Sequence, residues 1–355
     1  MQLAAPIRPA TIPWRTDVPT RPAYVRDSVQ LAGDLRALAA AHPMLARVED
    51  IGDSALKAAG AGGHDVLALV VGSRPDDPSV PRILLTAGVH PRESANPAVL
   101  MAWARRTLDG AAAGDPAYRE LLAQRTVVLV PNANPDGLMT VVHGFESGLP
   151  AEIWRRRNHG SDGGVDLNRN FDGHWGPGDT EPAKQNYRGP FASSESETRA
   201  VEALGTRLRP AAVYDVHSAG GVVLVPPGTG AADARAAAAL VARATGYAIS
   251  SSDAHWSKEV GGTLKDWANA TLGVPSLTIE TGVVHHQTDA HFADTSARML
   301  PALDALVATI DGRHAAPVGA ERLAKPAAAK PFVAAEHLDG VIVGTKPRDA
   351  PLAHD

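Results

Sequence analysis

The sequence contains no cysteine. That absence excludes a disulfide-stapled scaffold, a cysteine-bound zinc finger and a thiol nucleophile together. Any metal must be held by His, Asp and Glu. Aromatic residues make up only 5% of the 355 positions, and no apolar run is long enough to span a bilayer. An excess of one charge sign is also missing: 34 Lys+Arg stand against 39 Asp+Glu, a formal net charge of -5. The balance gives no electrostatic reason to bind nucleic acid. The opening residues, MQLAAPIRPATIPWRTDVPT, hold no apolar core of the kind a secretion signal needs. A cytoplasmic protein is therefore the expectation, although a secreted or periplasmic chain trimmed of its signal would read the same way.

What is present is an ordinary globular composition, 44% hydrophobic with 21% charged. At about 150 residues per domain the length allows two domains or one large α/β enzyme. Residues 1–22 read as an extended, proline-bearing arm, 23–312 as one catalytic domain, and 313–355 as an Ala/Pro-rich tail in which GVIVG (340–344) can add a strand. Helical spacing of Val25, Val29, Leu31, Leu35 and Leu38 predicts a helix from about Arg21 to Ala41, stopped at His42-Pro43. Strands are predicted at 46–51, 65–72, 83–89, 126–130, 212–216 and 276–279, and helices at 97–108, 194–208, 231–245 and 295–310. The alternation predicts a single α/β domain with a central mixed, largely parallel sheet and helices on both faces. Residues 131–190 are rich in Gly, Pro, Asn, Arg and Trp with little periodicity. So long an irregular stretch inside a compact domain is usually functional.

Polar groups stand where the buried strands end, the place where open α/β sheets bind ligands. His90 and Glu93 follow ILLTAGV, His217 follows VYDV, and Glu280 follows SLTI. Two His and one Glu make a three-ligand zinc set that leaves a fourth position open for water, the mark of a catalytic site. A further carboxylate close to that water can act as general base. Spacing alone does not say whether Glu93 or Glu280 is the ligand.

A series of motifs then runs in one order: GVHPRES (88–94), PNANPDG (131–137), IWRRRN (153–158), GVDLNRNFDGHW (164–175), YRGPFASSESET (187–198), DVHS (215–218), GGTLKDWA (261–268) and TIETG (278–282). Together they resemble the zinc metallocarboxypeptidases of the pancreatic type, the M14 peptidases, over roughly residues 25–310. The resemblance implies one Zn2+ per chain held by His90, Glu93 and His217, with Glu280 as general base. It implies that Arg155, after Trp154, steadies the oxyanion. Asn168 and Arg169 would grip the terminal carboxylate of a peptide, Arg92 would line the cleft, and Asp166 would orient the first zinc histidine. Taken alone, Arg155, Arg156 and Arg157 are a basic run that a solvated loop would also show, and Asn168-Arg169 could brace the loop instead. Lys265, just before Asp266-Trp267, falls where the family's pocket for the C-terminal side chain has its base, so a preference for acidic C-terminal residues is expected. The segment is one residue longer than usual, which leaves open that Lys265 points to solvent and Leu264 lines the pocket.

The departures are specific. DAHWSKEVGG (253–262) lacks the tyrosine that closes over substrate in the family, with Trp256 nearby, and Ala219 stands where an aromatic is common. The loop after Glu280 holds His285, His286, Asp289 and His291, a set readable as a second metal site or as a solvated polar loop. Other activities on the same scaffold are a γ-glutamyl amidase or carboxypeptidase of peptidoglycan peptides, an amino-acid deacylase, and a non-catalytic binding module. The partner implied is a peptide with a free C-terminal carboxylate. No membrane partner is implied, and the oligomeric state is not legible.

Overall fold

A computed structural model describes residues 19–226 and 231–310, together with the backbone of 335–338 and 341–345. The arm expected at 1–22 and the tail expected at 313–355 fall largely outside the described residues. Eight strands form one mixed sheet: β1 (Ala46–Asp53), β2 (Asp65–Val71), β3 (Arg82–Ala87), β4 (Thr126–Val130), β5 (Ala212–His217), β6 (Val222–Val225), β7 (Ala248–Ser251) and β8 (Ser276–Glu280). Their spatial order is β1-β2-β4-β3-β5-β8-β6-β7. The central strands β4, β3, β5 and β8 are parallel, while β2 against β4 and β6 against β8 are antiparallel. The helices are α1 (Ser28–Ala41), α2 (Ala55–Ala58), α3 (Ala95–Ala112), α4 (Pro116–Gln124), α5 (Pro135–Ser147), α6 (Pro150–Ile153), α7 (Ser196–Leu208), α8 (Ala231–Thr245), α9 (Ser252–Trp256), α10 (Leu264–Trp267) and α11 (Asp289–Ala308). Among the described residues no helix is long and apolar enough to cross a membrane.

Both faces of the sheet are covered, which is why its central strands read as apolar runs and not as alternation. Along β2, Leu67, Leu69 and Val71 enter one apolar cluster, while Val66, Ala68 and Val70 enter another. That is the period of two of a pleated strand. α1, α3, α8 and α11 close the first cluster. Val201 and Leu204 of α7, Leu264 and Trp267 of α10, and the irregular segment bearing Leu167 and Phe171 close the second.

The differences from the sequence reading have local causes. α1 begins at Ser28, not near Arg21, because Asp27 and Gln30 form a reciprocal cap: Gln30 N donates to Asp27 Oδ1 (2.7 Å) and Asp27 N to Gln30 Oε1 (3.2 Å). The residues before it turn onto the start of α11 and the residues just ahead of it. There Tyr24 donates to the Gln287 carbonyl (2.6 Å) and stacks on Phe292, and Ala23 N donates to Asp289 (2.9 Å). The region 131–190 contains α5, capped by Asn134 with Pro135 at its first position. Gly137 and Gly144 dilute its helical pattern, yet a Cβ at either would lie 2.7 Å from Pro91 or Ile153. β6 and β7 hold four residues each and show no readable period. The strand expected at GVIVG is Val341–Thr345 (β10), paired antiparallel with Ala335–Leu338 (β9).

Trp103 of α3 is fully buried, and its indole N–H donates to Asp304 of α11 (2.9 Å), which Arg106 also holds. Trp103→Ala should therefore cost about 3–5 kcal/mol. Urea unfolding checks this as a lowered midpoint at an unchanged slope.

Candidate metal centre and active site

Three adjacent parallel strands, β3, β5 and β8, deliver the reactive groups at their carboxyl ends. After β3 the chain turns at Gly88, whose φ of 68° is the left-handed conformation that favours glycine. A Cβ there would lie 2.9 Å from Asn132. The turn brings His90 and Glu93 over the sheet edge. β5 ends in His217 and pairs in register with β8, His217 facing Glu280.

His90 Nδ1 lies 2.8 Å from Glu93 Oε1, His217 Nδ1 lies 3.0 Å from Glu93 Oε2, and the two Nδ1 atoms are 3.1 Å apart. All three side chains are buried. Among the described residues, no other group of three or more ligand-type side chains comes together. Two nitrogens bound at about 2.0–2.1 Å to one tetrahedral zinc lie roughly 3.3 Å apart, so the donor set fits the ion in type and spacing. Each imidazole gives its other nitrogen to a carboxylate: His90 Nε2 to Asp166 (3.0 Å) and His217 Nε2 to Asp215 (2.6 Å). Those contacts direct both Nδ1 atoms toward the metal position. Burial works against charge on Glu93, yet His90 and His217 hold its carboxyl well below the usual range. Burial also opposes charge on His217, but Asp215 and Glu93 outweigh it and raise the imidazole well above its ordinary value.

Glu280 is buried beside this group. Burial, with repulsion from Glu93, pushes its carboxyl up to about 8, although His217 and Arg156 pull the other way. A dication at the triad favours the carboxylate form and brings that value down. The ends of β5 and β8 are fastened by one side chain: Asn96 donates to Ser218 Oγ (3.2 Å) and accepts from Thr281 Oγ1 (2.7 Å).

The arginine run resolves differently from the resemblance. Arg155 donates from Nε to the Arg157 carbonyl (3.0 Å) and from Nη2 to the Asn158 carbonyl, so its fork is spent on the loop backbone. Arg156 faces the metal group instead. It grips Asp166 Oδ2 through Nε (2.9 Å) and Nη2 (2.8 Å). Burial disfavours its charge, but Asp166, Glu93 and Glu280 overcome that and raise its pKa. The run follows the four-residue helix α6. Trp154 follows it and packs edge-on against His286 (centroids 4.4 Å apart).

Asn168 and Arg169 lie in a short 3-10 turn capped by Asp166. Asn168 accepts from Leu264 N (3.1 Å), and its amide nitrogen lies 3.4 Å from His217 Nε2. Arg169 donates to the Asn168 carbonyl (2.6 Å). Its backbone supports the segment before α10: a Cβ on Gly262, whose φ is 67°, would lie 2.3 Å from the Arg169 carbonyl oxygen. Burial lowers the pKa of Arg169, and burial lowers that of Arg92 to about 10.

Lys265 does not point to solvent. It is 1% exposed, and its ammonium lies 2.5 Å from Asp266 Oδ1, while Thr263 donates to Asp266 Oδ2 (2.7 Å). Leu264 belongs to the apolar cluster with Phe171 and Trp267. Where the family has its tyrosine, this chain turns at Ser257 and then carries Lys258 and Glu259, with Glu259 beside His174 (3.2 Å). The four polar residues after Glu280 do not converge. His285 approaches Glu93 (3.9 Å), His286 packs between Trp154 and Phe145, Asp289 binds Ala23 N, and His291 lies exposed on α11.

Sequence reasoning missed Arg156 and Asp215. Asp215 was open to detection, since residues two apart on a strand share a face. Nothing local distinguishes the second of three arginines.

The comparisons agree with this geometry. The zinc carboxypeptidase family model, Peptidase_M14, matches residues 32–298. A Sclerotinia sclerotiorum protein named inactive metallocarboxypeptidase ecm14 is 32% identical over 46% of this chain and 29% of its own length. Zinc carboxypeptidase A 1 of Anopheles gambiae is 32% identical over 42% of this chain and 34% of its own. The chain thus matches about a third of the length of these curated relatives. The solved carboxypeptidase A of Helicoverpa armigera superposes with a TM-score of 0.65 at 21% identity, over 80% of this chain and 74% of that one. With its eight-stranded α/β sheet and its one cluster of zinc-type ligands among the described residues, the chain belongs to the zinc carboxypeptidase family.

Proposed function

We propose that this chain hydrolyses the C-terminal peptide bond of peptides with a free terminal carboxylate. The observation that carries the reading is the convergence of a buried His-Glu-His triad, Glu280 in register beside it, and the cations Arg156 and Arg169. When bound at His90, Glu93 and His217, zinc supplies Lewis acidity for the scissile carbonyl and lowers the pKa of a water to about 7. Arg169 has no ion pair among the described residues and offers its fork to the terminal carboxylate beside Asn168. Arg156 leaves Nη1 free of Asp166 and can donate to the carbonyl oxygen as charge develops there. Glu280 takes the proton of the attacking water and passes it to the leaving amine.

Activity is the quantity to test, because one relative is named as inactive. With zinc present, free-acid peptides should lose their last residue while C-terminally amidated peptides stay intact. Chelation should stop release and added zinc restore it. Glu280→Gln should keep substrate binding and lower kcat by about 10²–10⁴. Retention of more than a tenth of wild-type kcat would remove Glu280 from this role.

Arg156 takes the place in the mechanism that the resemblance gave to Arg155. Arg156→Ala should lower kcat about 10²–10³, and Arg155→Ala should cost far less and chiefly in stability. The reverse ranking in steady-state kinetics would restore Arg155.

The finer reading is a preference for acidic C-terminal residues, now supported by a wider set of cations than Lys265. Asp266 already neutralises Lys265, which contributes only by sharing its ammonium. Arg92, Arg169 and Lys258 have no ion pair among the described residues, and Lys258 feels the repulsion of Arg169 and Arg156 after burial has lowered its pKa. Two carboxylates on the ligand neutralise this cleft better than one. The kcat/KM ratio for peptides ending in Glu over Gln should exceed one. It should fall about fivefold in Lys258→Gln, the scale of an exposed charge contact, and less in Lys265→Ile. A wild-type preference for Gln or Leu would refute the acidic reading.

A further inference from the structure

Each histidine of the metal centre leans on a carboxylate, but the two carboxylates are not equivalent. Asp166, behind His90, is neutralised by Arg156. Asp215, behind His217, has no arginine or lysine partner among the described residues. Its Oδ2 lies 2.6 Å from His217 Nε2, and its Oδ1 accepts from Thr86 Oγ1 at 2.5 Å. Both Asp215 and Thr86 are fully buried. The strand register builds this relay. Asp215 and His217 are two apart on β5 and share a face, and β3 places Thr86 in register with Asp215.

We propose that Asp215, fixed by Thr86, is a positioning residue that holds His217 in the tautomer and orientation for zinc and directs a full negative charge at that ligand. The inference rests on the zinc reading of the triad. A purely structural role accounts poorly for the same atoms. β3 and β5 are already joined by five register pairs, so a side-chain link adds little to the sheet. A buried carboxylate without a cationic side chain is costly unless another positive group answers it. Here that group is His217 with its metal. Thr86 offers one hydroxyl hydrogen, and Asp215 Oδ1 takes it, which leaves Oδ2 for the imidazole.

The test is zinc affinity, measured by competition with a chromophoric chelator, together with the visible spectrum of the cobalt-substituted protein. Loss of such an orienting partner typically weakens metal binding about 10–100-fold. Asp215→Ala should show that loss and a shifted cobalt band. Asp215→Asn keeps an acceptor but removes the charge, and should fall between Ala and wild type. Thr86→Val is nearly isosteric and keeps the question open to measurement should Asp215→Ala fail to fold. It should weaken zinc binding several-fold, and Thr86→Ser, which restores the hydroxyl, should recover it. Zinc affinity within twofold of wild type in folded Asp215→Ala or Asp215→Asn overturns the proposal, as does equal behaviour of the Val and Ser variants. If wild type itself takes up no zinc, the zinc reading falls and this inference falls with it. Wild-type binding with indifferent variants removes this inference alone.

Discussion

The site depends on the register of three parallel strands. β5 lies between β3 and β8, and its pairing sets His217 beside Glu280 and Asp215 beside Thr86. Side chains alternate faces along a strand, so a slip of one residue would send His217 and Asp215 to the opposite face and leave Val216 in their place. The register is protected because both faces are packed. Tyr214 and Val216 are committed to one apolar cluster and Val213 to the other. Packing that looks purely structural therefore fixes where the chemistry stands.

Burial is the second constraint. Glu93, Asp166, Asp215, His90 and His217 are all nearly inaccessible, and charges in such a place must answer one another. They do so in a chain: Arg156 to Asp166, Asp166 to His90, Glu93 to both imidazoles, His217 to Asp215, and Asp215 to the Thr86 hydroxyl. Glu280 stands beside this chain, and its burial, with repulsion from Glu93 added, holds its proton more tightly than that of a surface carboxyl.

Much of this was legible in the sequence, for physical reasons. Apolar runs such as ILLTA and TVVLV exist because a doubly covered sheet needs them. Polar residues at the ends of such runs stand out because they are costly there. Other features were hidden. Three successive arginines carry the same chemistry, and only the direction of the chain after α6 decides that Arg156 faces the metal group. Lys265 and Asp266 are neighbours in sequence, but adjacency does not say that their side chains meet. α5 was hidden by the two glycines that let it approach Pro91 and Ile153. The reach of Tyr24 to Gln287 joins positions more than 250 residues apart, which no local pattern encodes.

Asp166 serves two masters. One oxygen orients His90, and the other holds the guanidinium of Arg156. The two contacts share one rigid carboxylate group, so motion of either partner is felt by the other. On the role proposed for Arg156, metal uptake and recognition of a carbonyl oxygen are then linked equilibria. Any order that a metal brought to His90 would pass through Asp166 to Arg156, and by reciprocity a ligand on Arg156 would favour the metal-competent arrangement by the same free energy. Perturbations at His90, Asp166 and Arg156 will not add, because each removes part of the same coupling.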